Sequence, residues 1–258
     1  MILTSAQNSK IKLVNRLRSK RGREQAARFL IDYDRDLQRA LSCGYVLDFV
    51  LHCPEMSDLS FSADAEAHQV SPQLMTRISY RENPSGVIAV MHSRPVQGLA
   101  ELQSAAIDHA IALVGLRVPG NIGALLRTAD AVGMDAVILV DNALDLYNPN
   151  IIRSSTGACF LGNIFQVGSG EALATLKGKG LGIICADVNG ATSLFDLDFR
   201  GKSAIVLGAE DSGLSQFWLD GADSRVQIPM AGSLSDSLNV SVSGAVLMYE
   251  HYRQRQVS

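Results

Sequence analysis

No stretch of this chain approaches the roughly 18 uninterrupted apolar residues of a membrane-spanning helix, so no membrane role is expected. Its first ten residues, Met1 to Lys10, lack the apolar run of a secretory signal, and a cytoplasmic location is the expectation. The four cysteines, Cys43, Cys53, Cys159 and Cys185, lie far apart with no paired spacing. Isolated, partly buried thiols in a reducing compartment are expected rather than disulfides or a metal site. His52, His68, His92, His109 and His251 are equally scattered, and no metal is expected; His109, opening an apolar run, reads as structural. Three catalytic signatures are also missing: the GxxxxGK[ST] phosphate loop, the strand–GxGxxG–helix dinucleotide fingerprint and the GxSxG nucleophile elbow. The glycine clusters Gly168-Ser-Gly170 and Gly178-Lys-Gly-Leu-Gly182 read as turns, and Ser212 sits in Asp-Ser-Gly. A nucleotide-dependent oxidoreductase is therefore disfavoured.

What is present is a 258-residue chain, 47% hydrophobic, long enough for one large domain or two ordinary ones. Its net charge of −3 is unevenly spread. Residues 1–40 hold ten basic side chains (Lys10, Lys12, Arg16, Arg18, Lys20, Arg21, Arg23, Arg28, Arg35 and Arg39) against four acidic ones, while the rest of the chain is acidic. A basic amino-terminal surface suits a polyanion such as nucleic acid, although a solvated helix face shows the same run.

The spacing predicts a helix over residues 1–30, with Ile11, Leu13, Val14 and Leu17 as its apolar stripe, and a second helix over 34–44 stopped by Gly44. Short β-rich runs at 46–51 and 86–91 complete a small α/β region, and Arg94 to Gly98 reads as a linker. From about residue 105 the pattern alternates regularly. Strands are expected at 109–116, 135–141, 164–167, 181–188, 203–208 and 225–229, and helices at 121–133, 169–179, 212–220 and 237–254. Continuous apolar strands between helices imply a parallel sheet covered on both faces. Ligands of such sheets bind beyond the carboxyl ends of the strands.

Three loops leave that edge with unusual chemistry. In Arg117-Val-Pro-Gly-Asn-Ile-Gly-Ala-Leu-Leu-Arg-Thr-Ala129, Asn121 reads as a helix cap, and Arg127 sits in apolar company that a solvated arginine would not need. In Leu207-Gly208-Ala-Glu210-Asp-Ser-Gly213, two acidic side chains follow a buried strand. From Ile228-Pro-Met230, a small-residue loop runs to Ser237-Leu238-Asn239, where a helix amino terminus exposes unpaired N–H groups. Periodicity and spacing reach an α/β ligand-binding domain with a basic amino-terminal partner, and no further.

Together these loops resemble the three motifs of the SpoU, or TrmH, branch of the SPOUT RNA methyltransferases: Pro119-Gly-Asn121-Ile-Gly123…Arg127-Thr-Ala129, Leu207-Gly208-Ala-Glu210…Gly213-Leu, and Ile228-Pro-Met230…Ser237-Leu-Asn239-Val-Ser-Val. Asn148 to Ala158 is similar to the family's middle segment, and the runs 29–41 and 83–90 look like the ribosomal-protein-like α/β domain carried by ribosomal-RNA members. After Leu30 the chain reads Asp32-Tyr33 where relatives often read Glu-Gly, and the third motif is one residue longer than its shortest form.

The resemblance implies an α/β fold of two parts: a substrate-binding domain over 1–97 and, over 98–258, a SPOUT domain whose parallel sheet is tied in a deep trefoil knot. It implies transfer of a methyl group from S-adenosylmethionine to a ribose 2′-hydroxyl of RNA, large-subunit ribosomal RNA above all, by a homodimer. Transfer RNA as acceptor, or a non-catalytic RNA-binding relative, are the alternatives. By the same resemblance Leu207, Gly208, Ile228, Met230 and Leu238 hold the cofactor through backbone groups. Arg127 acts on the nucleophile, and Asn121, Glu210, Ser237 and Asn239 order the pocket.

Overall fold

Capping and left-handed residues cut the sequence pattern into more elements than periodicity suggests. The computed structural model describes every residue except 1, 60, 62–64, 143, 235 and 257–258. In chain order the helices are α1 (Ser9–Arg16), α2 (Lys20–Ala26), α3 (Asp34–Ser42), α4 (Pro72–Ile78), α5 (Leu99–Ser104), α6 (Pro119–Ala131), α7 (Pro149–Ser155), α8 (Ser169–Gly178), α9 (Gln216–Gly221) and α10 (Val240–Gln256). The strands are β1 (Arg28–Ile31), β2 (Leu47–His52), β3 (Ala67–Gln69), β4 (Val87–His92), β5 (His109–Val114), β6 (Ala136–Val140), β7 (Ile164–Val167), β8 (Gly182–Ala186), β9 (Thr192–Ser193), β10 (Ser203–Leu207) and β11 (Ser224–Gln227). They form two compact units, one of residues 1–95 with 145–161, the other of 96–144 with 162–258.

In the first unit the expected single helix over residues 1–30 is two helices and the start of a strand. Ser19 ends the first run because its hydroxyl accepts from the Gly22 amide at 3.1 Å, capping a new helix. α2 crosses so close to α1 that a Cβ on Gly22 would lie 1.9 Å from the Arg16 carbonyl oxygen. Ala27, in the left-handed region at φ 49°, then turns the chain into β1. The sheet order is β1-β4-β2-β3, with antiparallel pairing at β4 and a parallel β2–β3 edge. Of the stripe read from the sequence, Ile11, Val14 and Leu17 are fully buried in a cluster with Leu51, Met75 and Val90, and Leu13 is half-buried at its edge.

The second unit is a seven-stranded, wholly parallel sheet in the order β7-β6-β5-β10-β8-β11-β9. β6 and β10 are buried at every position, as continuous apolar runs covered on both faces require. The expected strands and helices are all present, with ends shifted by a few residues: α6 starts at Pro119, favoured at a first helical position, and α10 starts after Asn239. α10 lies on α6 and β10, where Gly244 leaves room for Leu125 and Leu207; a Cβ there would sit 2.3 and 2.8 Å from their methyl carbons.

At the other end of α10, His251 is fully buried and its Nε2 lies 3.1 Å from Nδ1 of His109 at the start of β5, giving that histidine its structural role. Burial first, then Arg255 and His109, push the His251 pKa down to about 3. The unfolded chain therefore binds this proton more readily than the folded one between pH 6.5 and 3. Stability from this group is complete above pH 6.5 and is lost as pH falls through that window. Urea midpoints should drop by the equivalent of about 2 kcal/mol between pH 7.5 and 5. His251→Phe should flatten that slope; an unchanged slope would contradict the assignment.

The four thiols are free, with Cys43 half-buried and the others buried; burial pushes Cys159 and Cys185 up to about 12. Among the described residues no helix is long and apolar enough to cross a membrane. Nor do any three histidine, cysteine or acidic side chains gather as metal ligands among them.

Candidate active site

β5 and β10 are neighbours in the sheet and β11 lies two strands further on, so the loops that follow them emerge on one edge, at the carboxyl ends. The loop after β10 is a tight turn. The Gly213 amide bonds back to the Ala209 carbonyl at 2.9 Å, Gly213 is left-handed at φ 65°, and a Cβ on Gly208 would lie 2.2 Å from the Gly213 carbonyl carbon. This turn presents the exposed side chain of Glu210.

Asn121 does not cap α6, as the sequence suggested. Val118 occupies the cap position without a side-chain bond, and Asn121 lies inside the first turn with its amide free for tertiary contacts. Its Nδ2 donates to Glu210 Oε1 at 2.8 Å, and its Oδ1 accepts from Asn239 Nδ2 at 3.2 Å. Asn239 caps α10 in turn: its Oδ1 accepts from the Ser241 amide at 2.9 Å and the Ser241 hydroxyl at 2.6 Å. A relay Glu210–Asn121–Asn239–Ser241 thus ties together one residue set from each of the three loops. Each amide is used in both senses, donor and acceptor, which leaves one arrangement for the group.

The other expected residues fall into two sets. Arg127 is exposed on α6, Ser237 is exposed in the third loop, and neither side chain hydrogen-bonds a described residue; the relay does not include them. Leu207 is buried, so only its main chain and the adjoining Gly208 reach the edge. Ile228 and Leu238 are half-buried and Met230 is exposed. Among the described residues, 228–234 and 236–238 make no hydrogen bond to one another or to the rest of the chain. Sequence reasoning missed Ser241 as part of the site. Its signal was present, since an asparagine two residues before a serine at a helix start is a capping pattern.

Fold and site define an α/β domain whose parallel sheet carries three motif loops at its carboxyl edge, joined to a separate α/β unit. The model of the SpoU rRNA Methylase family matches residues 108–249, and that of the MRM3-like substrate binding domain matches residues 8–89. The chain belongs to the SpoU rRNA methylase family. It is 30% identical to the 23S rRNA (uridine(2479)-2′-O)-methyltransferase of Streptomyces viridochromogenes, across 90% of this chain and 85% of that one. Among solved structures it resembles an RNA 2′-O ribose methyltransferase at TM-score 0.86 and 34% identity, covering 99% of this chain and 100% of that one. It also resembles the SpoU methyltransferase AviRb from Streptomyces viridochromogenes in complex with the cofactor AdoMet, at TM-score 0.83 and 28% identity over 97% of this chain and all of that one.

Proposed function

We propose that this chain transfers the methyl group of S-adenosylmethionine to a ribose 2′-hydroxyl of large-subunit ribosomal RNA. The observation that carries this reading is the relay joining Glu210, Asn121 and Asn239, because it locks the three motif loops against one another beside peptide groups that have no partner among the described residues. The residues fit the cofactor: the main chain of 228–234 and 236–238 offers donors and acceptors with no partner among the described residues, and Gly208, where a Cβ would collide with Gly213, lets the turn after β10 close tightly. Residues Leu207, Gly208, Ile228, Met230 and Leu238 would hold S-adenosylmethionine, which supplies an electrophilic methyl carbon when bound.

The chain's own task is then alignment, since displacement at that carbon needs the ribose oxygen in line, and positioning supplies much of such a rate. Asn121, Glu210 and Asn239 hold the loops rigid, and Ser237 closes the pocket from the third loop. A guanidinium offers only donors, so Arg127 serves the nucleophile by stabilising the developing alkoxide or by pinning an RNA phosphate. The second copy needed for a homodimer has a natural seat on α10, whose outer face exposes Val242, Tyr249 and Tyr252. The third-motif loop and α10 are read as the threaded part of a trefoil knot.

Ribosomal RNA is preferred to transfer RNA as acceptor because the match to a substrate-binding domain over residues 8–89 adds a second RNA-facing unit with exposed Lys12, Arg16, Arg18 and Arg21. The test is incubation of purified protein with radiolabelled S-adenosylmethionine and either large-subunit ribosomal RNA or bulk transfer RNA, followed by mapping of 2′-O-methyl groups. Label at one ribose of ribosomal RNA is expected. Label confined to transfer RNA would reassign the substrate, and label on a base would refute ribose methylation.

A further inference from the structure

Asp32 follows β1 in the first unit, and one of its carboxylate oxygens, Oδ2, is buried with no hydrogen-bond partner among the described residues. The other, Oδ1, stands 3.8 Å from Arg81 Nε, too far for a hydrogen bond, and that Nε is itself buried and unpaired. Leaving buried polar atoms without partners opposes folding, so the arrangement calls for a reason outside the fold. Asp32 lines a cavity whose apolar walls come from Leu30, Ile78, Ile88 and Ile152 and whose rim carries Arg18 and Tyr80. Arg18 is held there by donation to the Ser79 carbonyl at 2.9 Å, and Tyr80 is 45% exposed. Burial raises the Asp32 pKa, opposed by Arg81 and more weakly by Arg153 of α7, which places a further guanidinium in the same neighbourhood.

Apolar walls, an acceptor inside and guanidinium groups at the rim match the parts of one unpaired nucleotide: ring faces, a donor edge and flanking phosphates. A carboxylate only accepts. Guanine presents two adjacent donors, N1–H and N2–H, on its Watson–Crick edge. Adenine and cytosine pair a donor with an acceptor there, and uracil sets its donor between two acceptors. We propose that this cavity reads one unpaired guanine of the RNA substrate, with Asp32 accepting from N1–H and N2–H and with Arg18 and Arg153 holding the neighbouring phosphates. The assignment rests on the RNA-methylation reading above. As it stands the cavity has room for about one water molecule, so Tyr80 swings outward as the base enters and then stacks on it.

The experiment is fluorescence anisotropy with the full-length protein and labelled oligouridylates of about 12 nucleotides. One is uniform, one carries a central guanosine, and one carries inosine, which keeps N1–H and lacks the N2 amino group. The guanosine probe should bind about tenfold tighter than the uniform one, and inosine should lose most of that gain. Asp32→Asn should erase the preference for the guanosine probe over the uniform one. Equal binding of the guanosine and inosine probes by wild type, or a preference retained by a folded Asp32→Asn, overturns the proposal. Should Asp32→Asn fail to fold, the wild-type series still decides. Tyr80→Ala, at an exposed position, should weaken guanosine binding several-fold with an unchanged melting temperature. Calorimetry with S-adenosylhomocysteine separates the two readings. Wild type that does not bind it counts against methyl transfer, whereas lost base preference with that binding intact counts against this cavity alone.

Discussion

Replacing Arg127 by alanine should slow single-turnover methyl transfer by about 10²–10³-fold at saturating RNA, the loss typical of removing one donor from a developing negative charge. Arg127→Lys should lose nearly as much, because a point charge on a flexible stem does not reproduce a planar two-pronged donor. S-adenosylhomocysteine affinity should stay within about twofold in both variants, since Arg127 makes no hydrogen bond to the loops proposed to hold the cofactor. A near-normal rate for Arg127→Ala at saturating RNA would remove it from the chemistry. The same variant reports on subunit sharing. If the site lies at a dimer boundary, mixing Arg127→Ala chains with chains altered at Ser237 and Asn239 should restore part of the activity, and verified mixed dimers without recovery would place the whole site in one subunit.

Arg23→Ala should destabilise the protein by roughly 3 kcal/mol or more, a large part of the margin of an ordinary domain. Arg23 is only 5% exposed, and its Nε and Nη2 donate to Asp145 Oδ2 at 2.7 and 2.5 Å. Nη1 donates to the carbonyls of Leu17 and Arg18 at 2.8 and 2.9 Å, filling the acceptors left open where α1 stops. Removing the arginine orphans those carbonyls and leaves Asp145, 12% exposed, without its counter-charge. The double variant Arg23→Met, Asp145→Leu should recover much of the loss, because desolvating both charges offsets most of what their attraction contributes. Chemical denaturation of the two variants is the measurement. A loss below about 0.5 kcal/mol for Arg23→Ala would mean that the pair is a solvated surface contact.

Arg23 also shows where sequence reasoning stops. As one of ten basic residues in the first 40, it counts towards a nucleic-acid surface, yet it is a buried structural cation paired with a residue 122 positions away. The split of the first helix was missed for a different reason: Ser19 and Gly22 carry capping and close-crossing signals, but an apolar stripe that continues across a break looks unbroken at 3.6-residue periodicity. In the second unit the central strands were legible because β6 and β10 are continuous apolar runs, buried at every position, with turns bounding the helices between them. The three loops were legible as ligand loops because small residues concentrated after strands admit close main-chain approach.

The sequence by itself determined the parallel α/β architecture, the three edge loops and the membership that those loops signal, since local periodicity, glycine placement and motif order are properties of short segments. Tertiary structure alone decided that Asn121 links Glu210 to Asn239 instead of capping its helix, that Arg127 and Ser237 stand outside that relay, and that Asp32 keeps an unpaired oxygen in a cavity. Hydrogen-bond partners 89 and 118 positions apart are chosen by sheet order and chain path, and no local pattern encodes a choice made at that range.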